Sequence, residues 1–122
     1  MSRAQIHYMI CRRQTSPPVE EVAKGIIDEI QMHFPTLVIK PYVYKRNRNQ
    51  EVVRARQTAM VLCKEVTGQT LACIGDYFGR DHATVLHAYR RIRNRKFDPD
   101  LEYIYDIASA FCKRQGWIHA DV

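Results

Sequence analysis

Apolar residues recur at helical spacing along most of this chain. Val22, Ile26, Ile30 and Phe34 follow one another at intervals of four, with Ile27 widening the stripe. The spacing predicts a helix that starts near Pro17 or Pro18, capped by Ser16 and ended by Pro35. Residues 37–44 are apolar and β-branched but carry Pro41, and no partner strand is visible, so an extended connector across the core is the expectation. The polar, basic loop Lys45-Arg46-Asn47-Arg48-Asn49 follows. A helix over about 50–67 should turn Val52, Ala59, Met60, Cys63 and Val66 inward and stop at Gly68. The next, over about 71–78, should bury Leu71, Ile74 and Phe78. A further helix from Asp81 to about Arg95 should bury Val85, Ala88, Tyr89 and Ile92, with Arg90, Arg91, Arg93 and Arg95 on its other face. The last, from Pro99 to about Arg114, presents Leu101, Ile104, Ile107, Ala108 and Phe111. The pattern predicts an all-α bundle of about five helices. Its divisions are a tail (1–16), a helix and connector (17–44), a basic loop with three helices (45–96), and a closing helix (97–122).

Gly75, Gly79 and Val85 have the spacing of a helix-turn-helix, with Gly four residues on and an aliphatic six beyond that. Gly75 is expected to let two helices cross closely. Gly79 suits a left-handed helix end, where a Cβ is costly. Val85 would be the first buried anchor of the following helix, leaving its N-terminal turn free to meet DNA.

Charge sharpens this reading. Residues 45–96 hold twelve Lys/Arg against four Asp/Glu, a local balance of +8 within a chain of net +6. Residues 1–44 come to about +1 and residues 97–122 to −3, so the positive charge lies on the helix-turn-helix segment and favours a polyanionic partner. The 46% hydrophobic and 26% charged residues are ordinary for one globular domain and argue against disorder.

Cys11, Cys63, Cys73 and Cys112 show no C-x-x-C pair and no His at ligand spacing, so buried free thiols are expected rather than zinc. Cys63 and Cys73 fall at positions suited to small packed residues. No run approaches the ~18 apolar residues of a membrane span, and the N-terminus lacks a signal-peptide core. A cytoplasmic protein without membrane partner is the expectation.

The stretch from Arg46 to Ile92 resembles the C-terminal DNA-binding domain of the bacterial replication initiator DnaA, a Trp-repressor-like helix-turn-helix. The likeness rests on Arg54-x-Arg56-Gln57-x-Ala59-Met60, Lys64-Glu65-x-Thr67 and Ile74-Gly75-x-x-Phe78-Gly79. Most specific is Arg80-Asp81-His82-x-Thr84-Val85-Leu86-His87-Ala88. Two positions depart: one glycine stands before the Arg-Asp-His run where the family often has two, and Ala83 stands where it usually has Thr. No G-x-x-x-x-G-K-[ST] is present and the chain is too short for an ATPase core, so a DNA-binding module with no nucleotide and no cofactor is expected.

The resemblance implies roles for particular residues. Asp81, His82 and Ala83 would face base edges in the major groove. Chemically, Asp accepts from cytosine N4–H, His donates, and Ala can pack on a thymine methyl. Asp81 is also a candidate helix cap, and both roles can hold together. His87 lies past the first turn and reads as structural or peripheral. Arg56, Gln57, Lys64 and Thr84 would hold phosphates, with Arg56 and Gln57 placed near helix N–H groups. Counting back from Arg56 gives the minor-groove role to Arg48, with Arg46 as the alternative and otherwise a phosphate contact.

Double-stranded DNA is therefore the expected partner, in replication control or transcriptional regulation. A homodimer or a replication protein could add to it. A protein-interaction module that keeps the fold is the rival reading. No catalytic constellation or metal-ligand spacing supports an enzyme.

Overall fold

A computed structural model describes residues 17–118, and the predicted tail, with Ser16 and Cys11, lies outside them. Five α-helices follow in order: α1 (Val19–Met32), α2 (Gln50–Thr67), α3 (Leu71–Phe78), α4 (His82–Arg93) and α5 (Pro99–Arg114). Single 3₁₀ turns at Lys40–Tyr42 and Arg95–Phe97 join α1 to α2 and α4 to α5. The described residues contain no strand, in accord with the all-α expectation.

The centre of the molecule is α2. Every residue from 55 to 63 is buried, because α1, α3, α4 and α5 all pack on this helix. The stripe read from the sequence (Val52, Ala59, Met60, Cys63, Val66) is buried, but so are Arg56, Gln57, Thr58, Val61 and Leu62. A helix enclosed on nearly all sides needs no polar face, so its moment understates its burial.

On α1, Val22, Ile26, Ile27 and Ile30 are buried as their spacing predicts. The helix ends at Met32, so Phe34 lies beyond it, half-buried and edge-on to Tyr103 with ring centroids 6.0 Å apart. The connector is neither strand nor fully extended, because its backbone groups are served by one side chain. Gln31 Nε2 donates to the Phe34 and Leu37 carbonyls at 3.0 and 2.7 Å, while its Oε1 accepts from Ile39 and Lys40 N–H. Ile39 and Val43 then drop into the core.

In α5 the buried line is Leu101, Ile104, Ala108 and Cys112, whereas Ile107 and Phe111 are half-buried. Phe111 instead meets Trp117 edge-on at 5.5 Å. Cys63 and Cys112 are buried free thiols, but Cys73 is exposed on α3, against expectation. Leu71 and Tyr89 are likewise only half-buried.

Candidate nucleic-acid interface

The helix-turn-helix is set by local chemistry at each end. Gly68 closes α2 in the left-handed region (φ 68°), and Thr70 caps α3 by accepting from Cys73 N–H at 3.0 Å. Gly79 closes α3 with φ 67°, as its spacing predicted. Gly75 is required for a different reason than expected. A Cβ there would sit 2.5 Å from the Arg80 carbonyl oxygen and 3.2 Å from the Asp81 carbonyl, so it makes room for the turn's backbone, not for a crossing helix. The Arg80 N–H returns a 2.8 Å bond to the Gly75 carbonyl, and Val85 is fully buried.

Helix α4 starts at His82, one residue later than expected, because Asp81 is its cap. Asp81 Oδ1 accepts the backbone N–H and the hydroxyl of Thr84, both at 2.9 Å. These bonds, led by the backbone one, hold its carboxyl below the ordinary range. Asp81, His82 and Ala83 are exposed, and so are Leu86, His87 and Arg90 on the same side of α4. Thr84 is half-buried with its hydroxyl already donated to Asp81, which leaves that oxygen as an acceptor only.

The far end of α4 differs from the uniform arginine face read from the sequence. Arg91 donates to Asp98 at 2.9 Å, where Arg54 Nε also reaches at 3.3 Å. Asp98 caps α5 as well, through Leu101 N–H. Arg95 falls beyond the helix, donating to the Ile92 carbonyl with its guanidinium 4.0 Å above the Tyr105 ring. Arg90 and Arg93 stay exposed. Tyr89 Oη donates to Glu65 at 2.8 Å, tying α4 to α2.

A cleft of about 520 Å³ opens beside the turn, lined by Arg46, Asn47, Arg48, Arg56 and Arg80. Arg46 and Arg48 are exposed, and no ion pair is formed by any of these four arginines among the described residues. Arg56 is mostly spent inward: Nε donates to the Val43 carbonyl at 2.6 Å and Nη2 to the Lys45 carbonyl at 2.7 Å. Burial pushes its pKa down, and the neighbouring Arg80 charge adds to the effect.

Arg56 and Gln57 lie in the second turn of α2, where backbone N–H groups are no longer free, contrary to expectation. Gln57 is 8% exposed and its Oε1 has no partner. Lys64 is half-buried. Arg80 is the residue that sequence reasoning passed over. It stands inside the Arg-Asp-His run, yet only the fold brings it to the basic loop, where it donates to the Lys45 carbonyl at 3.1 Å.

Residues 35–92 match the family described as bacterial dnaA protein helix-turn-helix. That segment, 58 of the 122 residues, is a helix-turn-helix of this family. It is 46% identical over 89 residues to the chromosomal replication initiator protein DnaA of Laribacter hongkongensis, covering 71% of this chain and 17% of the relative. With the protein of the same name from Streptococcus equi subsp. zooepidemicus it shares 41% identity over 87 residues, 68% of this chain and 18% of the relative. The Streptococcus agalactiae protein gives 46% over 72 residues, 56% and 16%. The chain thus spans less than a fifth of the length of these DnaA relatives. The segment matched by the family model begins after α1 and ends within α4, while the likeness to the first two relatives, over 89 and 87 residues, extends beyond it. No helix among the described residues is long and apolar enough to cross a membrane.

Proposed function

We propose that this protein binds double-stranded DNA as a sequence-preferring module in replication control or transcriptional regulation, and is not an enzyme. The observation that carries the reading is the pairing of two features on one side of the molecule. The capped, exposed turn of Asp81, His82 and Ala83 stands next to a cleft lined by four arginines without acidic partners. In this reading the N-terminal turn of α4 enters the major groove with those three residues at base edges. The loop of residues 45–49 lies in the adjacent minor groove, Arg48 reading it and Arg46 beside the backbone. Lys64, Gln57 and the outer donors of Arg56 meet phosphates, Arg56 serving the fold at the same time, and Thr84 joins them when DNA draws its hydroxyl from Asp81 to a phosphate oxygen.

The DnaA name of the relatives supports a place in replication. DNA of the bacterial cytoplasm is then the working partner. A single module of this kind buries roughly 600–1,000 Å² on DNA, so stable occupancy needs a second copy, tandem sites or a replication-protein partner. The test is anisotropy with random duplex at about 50 and about 200 mM salt, followed by selection of bound sequences from a random pool. Salt-dependent binding with an enriched site is the expected result. Absence of duplex binding at the lower salt would leave the fold as a protein-interaction module.

A further inference from the structure

The Lys45 carbonyl oxygen accepts from two guanidinium groups of distant origin. Arg56 reaches it from α2 at 2.7 Å, and Arg80 from the α3–α4 turn at 3.1 Å. Two cations converge on one neutral acceptor although they repel each other, and neither pairs with a carboxylate among the described residues. Arg80 is itself anchored. Its N–H bonds the Gly75 carbonyl, its own carbonyl packs where Gly75 lacks a Cβ, and its Nη1 reaches the Phe78 and Gly79 carbonyls at 3.4 and 3.3 Å. The other end of the loop is fixed by its own asparagines: Asn47 Oδ1 accepts from Asn49 N–H, and Asn49 Oδ1 caps α2 through Glu51 N–H. Arg46 and Arg48 lie between these two fixed points.

We propose that Arg80 is a positioning residue for DNA recognition. Its guanidinium fork splints the basic loop to the turn that leads into α4, so that the loop arginines and the first turn of α4 are held at one mutual offset before DNA arrives. The inference rests on the reading of loop and α4 as a joint DNA surface, and deepens it. A two-groove reader gains from such a splint because the loop's ordering cost is met in folding and is not charged against binding. Arg80 acts through the Lys45 backbone and not through its charge. Arg80→Lys keeps the charge but gathers its donors on one nitrogen, which cannot stand at both the Nη1 position that serves the Phe78 and Gly79 carbonyls and the Nη2 position that serves Lys45.

The experiment uses the full chain with Arg80→Lys and Arg80→Ala, each checked for wild-type helicity by circular dichroism. Amide hydrogen exchange without DNA comes first. The splint predicts several-fold faster exchange at Lys45 and Asn49 in both variants, with Ile74 and Val85 unchanged. Duplex binding comes second, as a double-mutant cycle with Arg48→Ala. Arg48→Ala should weaken wild-type binding roughly tenfold, the equivalent of 1.4 kcal/mol, and much less in the Arg80→Lys background.

Unchanged loop exchange in both variants overturns the proposal. So does a lysine variant that retains both affinity and the full Arg48 effect while alanine alone lowers the salt slope, since Arg80 would then be a plain phosphate contact. If the wild type binds no duplex, the DNA reading fails, and the exchange measurement still decides whether the splint exists. Should Arg80→Lys lose its helicity, Arg80→Gln, which keeps an uncharged donor, replaces it in both measurements.

Discussion

Asp81 and Thr84 form a closed pair at the start of α4, with one carboxylate oxygen accepting both the N–H and the hydroxyl of the threonine at 2.9 Å. The proposed base-reading residue is therefore also the residue that starts the helix. Removing its side chain should cost about 1 kcal/mol of stability, whereas asparagine, an equally good cap, should cost little. Asp81→Asn then isolates recognition, because it turns a pure acceptor into a mixed donor and acceptor. Selection from random duplex should return an altered site for this variant at near-wild-type thermal stability. An unchanged site would leave Asp81 as a cap alone.

Lys64→Ala and Arg56→Ala should separate a binding residue from one with two duties. Each is expected to lower the slope of log K against log salt by about 0.9. Arg56→Ala should also destabilise the fold, by roughly 1–3 kcal/mol, since the buried Val43 carbonyl loses its donor while the Lys45 carbonyl keeps Arg80. Urea unfolding of the two variants beside salt-titrated anisotropy checks both statements. Equal stability loss in the two would contradict the structural role given to Arg56.

The two loop arginines should differ on DNA of different flanks. A·T tracts narrow the minor groove and focus its negative potential, while the guanine amino group obstructs it. Arg48→Ala should cost more affinity on A·T-flanked than on G·C-flanked sites, and Arg46→Ala a similar amount on both. Identical behaviour of the two would reduce the loop to an electrostatic tether.

Gly75→Ala and Gly79→Ala should fail by different routes. At Gly75 the added methyl meets backbone, the Arg80 carbonyl at 2.5 Å, and the turn must move, at a cost of about 1–3 kcal/mol. At Gly79 nothing lies within 4 Å, and only the positive φ opposes a side chain, at about 1–2 kcal/mol. Gly75→Ala should consequently disturb DNA binding beyond its loss of stability, and Gly79→Ala should not. Binding measured well below each variant's melting temperature tests this.

Stability should fall in acid through Asp98. Partial burial raises its pKa, but Leu101 N–H, Arg54 and Arg91 outweigh it and hold the carboxyl below its ordinary value of 3.8. A carboxyl lowered on folding contributes fully above the unfolded value, and the contribution disappears as pH falls through the folded one. Melting temperature should therefore drop below about pH 4, and Asp98→Asn should flatten that drop while lowering stability at neutral pH. A variant with the wild-type acid profile would show that the Arg54–Asp98–Arg91 cluster adds nothing.

Much of this architecture was legible in the residues alone. Spacings of three and four, prolines and glycines placed all five helices, and Gly79 announced its left-handed cap. The run from Arg80 to Ala88 led to the family. These features are local: a helix is chosen by periodicity and ended by a residue whose own backbone energetics decide it. Tertiary structure decided which side chains were already committed. The stripe on α2 could not reveal that four helices would enclose it and bury Arg56 and Gln57. Nor could the row of arginines after Ala88 reveal that Arg91 would be claimed by Asp98 and Arg95 by Tyr105, while Arg90 and Arg93 stayed in water. Arg80 and the Lys45 carbonyl are separated by 35 positions. A hydrogen bond depends on distance and direction in space, and no pattern along a chain encodes which distant backbone oxygen an arginine will find.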